Sequence, residues 1–153
     1  MTRAIPEGLR SLTPQLNLDG AAEAIAFYQK AFGAVEKSRA PDPSGKKIWH
    51  AEIYIGDSAL FINDHFPEMG GVQSKSSLWI YTDGIDAAFK RAVDTGQVKV
   101  LMPVADMFWG DRMGTLEDKW GIRWNLAQRT RDLTPEEIQR NADGFIAQSK
   151  QGK

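Results

Sequence analysis

No cysteine occurs among the 153 residues, and that absence excludes disulfides, thiolate zinc sites, iron–sulfur clusters and a thiol nucleophile. Histidine is nearly as scarce, His50 and His65 being the only two. Imidazole chemistry therefore has little to draw on. An excess of one charge is missing as well: 19 Lys and Arg face 20 Asp and Glu, a formal net charge of -1. With no block of like charge, the chain lacks the electrostatic footprint of a nucleic-acid or anionic-membrane partner. No apolar run approaches the roughly 20 residues of a membrane span. The start, Met1-Thr2-Arg3-Ala4-Ile5-Pro6-Glu7, has no apolar region of the secretory kind. The expectation is a soluble, cytoplasmic protein that engages neither nucleic acid nor membrane.

What is present is ordinary globular composition, 42% hydrophobic and 25% charged. Over 12–18, apolar Leu12, Pro14, Leu16 and Leu18 alternate with polar Thr13, Gln15 and Asn17, the period of a strand buried on one face. Asp19-Gly20 follows as a cap, and Ala21, Ile25, Tyr28 and Phe32 then recur at helical spacing until Gly33. Strands are predicted next over 35–39, 48–55 and 59–63, with a turn at Pro41-Asp42-Pro43-Ser44-Gly45. The order is β-α-β-β-β.

A second pass gives the same order. A strand over 77–82 and the cap Asp83-Gly84 precede a helix on Ile85, Ala88, Phe89 and Ala92 that ends by Gly96. Strands follow over 98–103, 112–117 and 122–127, the last two bracketing Asp118-Lys119-Trp120-Gly121 as a hairpin loop. An offset of 64 residues lays Asp19-Gly20 on Asp83-Gly84, and 57–62 on 121–126. One offset at both ends points to duplication.

Two modules, about 11–64 and 76–128, are thus expected within one domain, 1–131, with a tail over 132–153. The stretch 65–76, with Pro67 and Gly70-Gly71, joins the modules, and His65 reads as a turn residue there. Thr134-Pro135-Glu136-Glu137 reads as a capping box that opens a tail helix with Ile138 and Phe145 as apolar contacts.

Paired β-α-β-β-β modules with Ala24-Ile25-Ala26-Phe27-Tyr28 and Ala31-Phe32-Gly33 in the first helix resemble the vicinal oxygen chelate superfamily of glyoxalases, bleomycin-resistance proteins and extradiol dioxygenases. The match covers roughly 12–128. Within it, His50-Ala51-Glu52, Ile55-Gly56-Asp57-Ser58, Phe108-Trp109-Gly110-Asp111-Arg112 and Asp118-Lys119-Trp120-Gly121-Ile122-Arg123-Trp124 are similar to the PhnB-like branch. The resemblance implies an α+β fold in which the two modules form a curved mixed sheet around a cleft. It also implies a homodimer with a small organic ligand as partner. Enzymes of the superfamily hold a divalent metal from the first and last strand of each module. Those positions fall here on Thr13, Phe61, Ser77 and Asn125, none of them a good ligand for zinc, manganese or iron. A metal-free, cofactor-free site is therefore expected.

His50 and Glu52 lie two apart on a predicted strand, so both point to one face, about 7 Å apart. They read either as an acid/base pair or as an ion pair on a cleft wall. Arg112, beside Trp109 in a turn-rich segment, reads either as a fork for an anionic ligand group or as structural, Asp111 pairing internally with Arg112 or Arg123 to fix the hairpin. Trp79 and Tyr81 share the face of Ser77 by the offset, and Phe61 and Phe108 join them with Trp109 as candidate aromatic walls. Trp49, Trp120 and Trp124 read as core or turn packing. The expected ligand-binding set is Gln15, Phe61, Trp79, Tyr81, Trp109, Arg112 and Asn125. The leading reading is a bleomycin-resistance-type small-molecule binder. The rival is a lyase, isomerase or dioxygenase-like enzyme using His50 and Glu52, or a metal site not apparent in the sequence.

Overall fold

Alternating segments of the sequence become strands and 3.6-period segments become helices in the computed structural model, which describes residues 2–151. The ends of the predicted domain and tail, residue 1 and 152–153, lie outside the described residues. The first module runs β1 (Gln15–Leu18), α1 (Ala21–Phe32), β2 (Val35–Pro41), β3 (Ile48–Ile55) and β4 (Ser58–Asp64). The second runs β5 (Ser77–Tyr81), α2 (Ile85–Val93), β6 (Val98–Asp106), β7 (Asp111–Asp118) and β8 (Arg123–Arg129). Helix α3 (Pro135–Gln151) follows. Order and type agree with the sequence reading, while some ends move. Leu12 is left outside β1 and 84% exposed, and β8 continues past Ala127 to Arg129.

Each module builds its own four-stranded mixed sheet, ordered β1-β4-β3-β2 and β5-β8-β7-β6. The β1·β4 and β5·β8 pairs are parallel and the others antiparallel. β1 and β5 are consequently edge strands, and the linker covers part of the β1 edge, the Asn17 carbonyl accepting the Ser74 N–H and the Asn17 N–H donating to the Ser74 hydroxyl, each at 2.9 Å. The register repeats with the sequence: Gln15 lies opposite Phe61, and Trp79 opposite Asn125. Even an irregularity is duplicated. Lys37 is the extra residue of a bulge in β2, and its counterpart at the same offset, Leu101, is the extra residue in β6.

The helices sit between the sheets and share one core. Leu16, Leu18, Ile53 and Ile62 of the first sheet and Leu116, Trp124 and Leu126 of the second all face it. Tyr28 and Phe32 of α1 reach across to Trp124, at ring distances of 5.0 and 4.8 Å. The Tyr28 hydroxyl and the Trp124 indole both donate to Asp118 at 2.8 Å, and Asp118 also accepts the backbone N–H groups of Trp120 and Ile122. A buried carboxylate with four donors is fully satisfied, and it staples α1 of one module to the last hairpin of the other. Fully burying each large apolar side chain of this core contributes roughly 1.5–3 kcal/mol.

The capping box at Thr134 and Glu137 forms as the sequence spells it, with reciprocal bonds of 2.8 and 3.2 Å. α3 buries none of its residues. Phe145 meets Phe108 at 5.5 Å, and the Asn141 amide donates to the Phe108 carbonyl. Among the described residues no helix is long and apolar enough to cross a membrane.

Candidate functional site

Strand alternation sends one set of side chains into the helices and the other to an outer face. On the first sheet the outer set contains Gln15, His50, Glu52 and Phe61. The His50 ring stands edge-on to Phe61 at 4.7 Å, and the Gln15 amide donates to Asn63 at 2.7 Å. His50 and Glu52 share the face as expected but are not joined. Glu52 instead takes the Tyr54 hydroxyl at 3.0 Å and the Lys37 ammonium at 3.4 Å. The hydrogen bond and charge of Glu52 push the Lys37 amine above its ordinary value.

On the second sheet the outer set contains Ser77, Trp79, Tyr81, Thr115 and Asn125. Trp79 and Tyr81 are 47% and 56% exposed and lie nearly parallel at 6.1 Å. Asn125 accepts from Thr115 at 2.8 Å and donates to Ser77 at 2.9 Å, so its amide is pre-oriented. Trp109 precedes β7 and joins this face through Asp111, which accepts its indole N–H at 2.9 Å.

Arg112 is placed elsewhere. It shares the parity of Leu116 and points to the helix side, where it grips Asp86 of α2 at 2.8 and 3.0 Å and reaches Asp106 at 3.4 Å. The expected pair of Asp111 with Arg112 or Arg123 does not form: Arg112 pairs with Asp86 and Asp106, Arg123 with Glu117, and Asp111 with Arg129. Arg129 is a cation on the outer face, opposite Asp111 in the β7·β8 register. The cue for both was alternation: 112, 114 and 116 lie on one face of β7, and 111, 113 and 115 on the other.

Sequence reasoning also missed Lys37 and Trp49. Lys37 is aimed at Glu52 from a bulge, and Trp49 is the residue left unpaired where the β2·β3 register shifts between Ala40 and Pro41. Trp49 is 47% exposed against Phe66 at 5.1 Å. A bulge has no signature of its own in residue type, so nothing in the alternation marks these side chains.

The positions to which the resemblance carries metal ligands offer the hydroxyls of Thr13 and Ser77, the phenyl ring of Phe61 and the engaged amide of Asn125. Among the described residues no three of His, Cys, Asp and Glu gather closely enough to hold an ion. This donor set does not fit zinc, manganese or iron.

A cavity of about 370 Å³ opens along the free edge of β5, between Leu78 and Ile80 on one side and Ile55 and Leu60 on the other, with Trp124 also lining it. No hydrogen bond or ring contact among the described residues joins the outer set of the first sheet to that of the second.

Among known proteins, the uncharacterized protein Mb0911c of Mycobacterium bovis is 38% identical over 138 residues, 84% of this chain and 90% of that one. The crystal structure of TioX from Micromonospora sp. ML1 matches with a TM-score of 0.63 at 20% identity, over 82% of this chain and all of that one (100%). TnmS3, an antibiotic binding protein from Streptomyces sp. CB03234, matches with a TM-score of 0.62 at 24% identity, over 84% and 100%. These structural likenesses establish a shared glyoxalase-like fold of two β-α-β-β-β modules. Residues 12–126 match the sequence pattern of the Glyoxalase/Bleomycin resistance protein/Dioxygenase superfamily, and the chain belongs to that superfamily.

Proposed function

We propose that this protein binds a small, flat, partly apolar molecule without a metal, in a cleft whose two walls come from two copies of the chain. One observation carries the reading: the outer faces differ in kind. Gln15, His50, Glu52 and Asn63 make the first mainly polar, with the Phe61 and Tyr54 rings beside them. Trp79 and Tyr81, both about half exposed, make the second aromatic. A ligand held between them buries a flat surface on the rings and meets hydrogen-bonding groups on the other side, the composition of ordinary small-molecule sites. The antibiotic-binding neighbour TnmS3 supports a small-molecule ligand, and the motifs around His50 and Trp109 support the PhnB-like branch.

Within one chain the two sheets back onto a common helical core, so their outer faces belong to different sides of it. The edge of β5 and the part of the β1 edge before Asn17, which Ser74 does not cover, favour a two-fold homodimer, with β1 of one copy beside β5 of the other. Each cleft then takes Gln15, Phe61, His50 and Glu52 from one protomer, and Trp79, Tyr81, Trp109 and Asn125 from its partner.

The test is complementation. A Phe61→Ala, His50→Ala protein and a Trp79→Ala protein are each expected to lose binding of planar acids and amides, followed by tryptophan fluorescence. After unfolding and co-refolding, mixed dimers contain one intact cleft, and binding returns to about a quarter of the sites. No recovery, or only the 17.0 kDa species in sedimentation, refutes the shared cleft.

A second reading, proton transfer by His50, has one observation in its favour: among the described residues its imidazole makes no hydrogen bond or ion pair, leaving it available to a ligand. Deuterium uptake from solvent into a bound carbon acid, abolished in His50→Gln, is its expected sign; no uptake removes it.

A further inference from the structure

Three side chains from three segments aim their polar atoms at one carboxylate. Asp111 is 1% exposed. One of its oxygens accepts the Tyr81 hydroxyl at 2.8 Å and the Trp109 indole N–H at 2.9 Å, while the other accepts the Arg129 Nε–H at 2.8 Å. β5, the loop before β7 and the end of β8 therefore converge on the first residue of β7. Its backbone takes part as well, the Met107 N–H donating to the Asp111 carbonyl at 2.7 Å.

An aromatic ring held only by apolar contact retains rotational freedom, whereas a ring also tethered by its polar atom has one orientation. We infer that Asp111 is the positioning residue of the aromatic wall, holding Tyr81 and Trp109 in the orientation that a planar ligand meets. Its carboxylate touches no ligand, because its side chain is fully covered (0%). It acts through the two rings, whose ordering is complete before the ligand arrives, so binding does not bear that cost. The inference rests on the small-molecule reading given above and adds to it the residue that determines the shape of one wall.

Electrostatics keep the tether intact at neutral pH. Burial pushes the Asp111 carboxyl up, but the hydrogen bonds from Arg129, Tyr81 and Trp109 and the Arg129 charge outweigh it and hold the group below the ordinary carboxylate range. The same hydrogen bond, with burial and the Asp111 charge, pushes the Tyr81 phenol up, so it stays a donor.

The experiment compares wild type, Asp111→Asn, Tyr81→Phe and their combination, using naphthoate and its neutral amide as probes in tryptophan-fluorescence titrations. Urea unfolding is measured on the same samples. Asp111→Asn is expected to weaken acid and amide alike by about tenfold, and to reduce the near-ultraviolet dichroism of the Trp109 ring. Tyr81→Phe keeps the ring and loses the tether, so it weakens both probes about threefold. The double variant binds no worse than Asp111→Asn alone, because the two changes break one connection. A purely structural aspartate would lower the unfolding midpoint and leave the affinity of the folded protein unchanged; that result overturns the inference. If Asp111→Asn does not fold, Tyr81→Phe decides, and unchanged affinity there overturns it equally. If wild type binds neither probe in a Trp79-dependent way, the cleft reading itself falls.

Discussion

Asp64 and Gln128 stand 64 residues apart in the sequence and occupy the same place over two different helices. Asp64 accepts the N–H groups of Gly20 and Ala21 at 3.0 and 2.9 Å, and Gln128 accepts those of Gly84 and Ile85 at 3.1 and 3.2 Å. Each closes its own module by tying the last strand to the start of the helix, in place of a capping side chain at Gly20 or Gly84.

The two caps are unequal, and so are the expected costs of losing them. Asp64 is buried, carries charge at a helix N-terminus and also accepts the Ile48 N–H at 2.6 Å. Asp64→Ala strands several donors and should cost about 2–4 kcal/mol. Gln128→Ala, where the donors are more exposed, should cost about 0.5–1 kcal/mol. Urea unfolding of both variants measures the difference; equal losses would mean that Asp64 acts by packing alone.

Tyr28 makes stability depend on alkaline pH. Burial, followed by the charge of Asp118 and its hydrogen bond, pushes the Tyr28 phenol far above the ordinary value near 10.0. The folded protein therefore keeps the proton that the unfolded chain releases. The stabilisation is fully present below about pH 10 and declines as pH rises beyond it. Tyr28→Phe should lose about 1–3 kcal/mol at neutral pH and show a flatter decline above that value. Urea midpoints across the alkaline range test this, and parallel curves for the two proteins would show that another group titrates.

Arg112→Ala should leave ligand binding unchanged for acids and amides alike, because its guanidinium is engaged by Asp86 and Asp106 on the helix side. Its expected effect is a small fall in the unfolding midpoint, as for an ion pair open to water. A selective loss of acid binding, measured by the same fluorescence titration, would return Arg112 to the ligand.

The architecture was legible because alternation and helical spacing are local, and because two modules at one offset check each other. Gln15 opposite Phe61 and Trp79 opposite Asn125 follow from that offset. What escaped depended on contacts between segments. Arg112 was read from its company in the sequence, Phe108 and Trp109, rather than from its parity with buried Leu116. Asp111 was read only as a partner for Arg112 or Arg123, since nothing local says that Tyr81, 30 residues earlier, donates to it. Arg129 lay beyond the predicted end of β8, which the β7·β8 register extends. Lys37 and Trp49 were hidden by shifts in the β2·β3 register.

The module duplication has a consequence for how such a cleft diversifies. Were the two modules separate identical chains, every change at one wall would be copied to the other, and Gln15 could not face an environment different from that of Trp79. Joined in one polypeptide, the counterparts at the 64-residue offset vary independently while the helix ties and the bulges stay paired. One wall is then open to tuning for hydrogen bonds and the other for stacking. New ligand specificity needs only substitutions on outer faces, at no cost to the shared core.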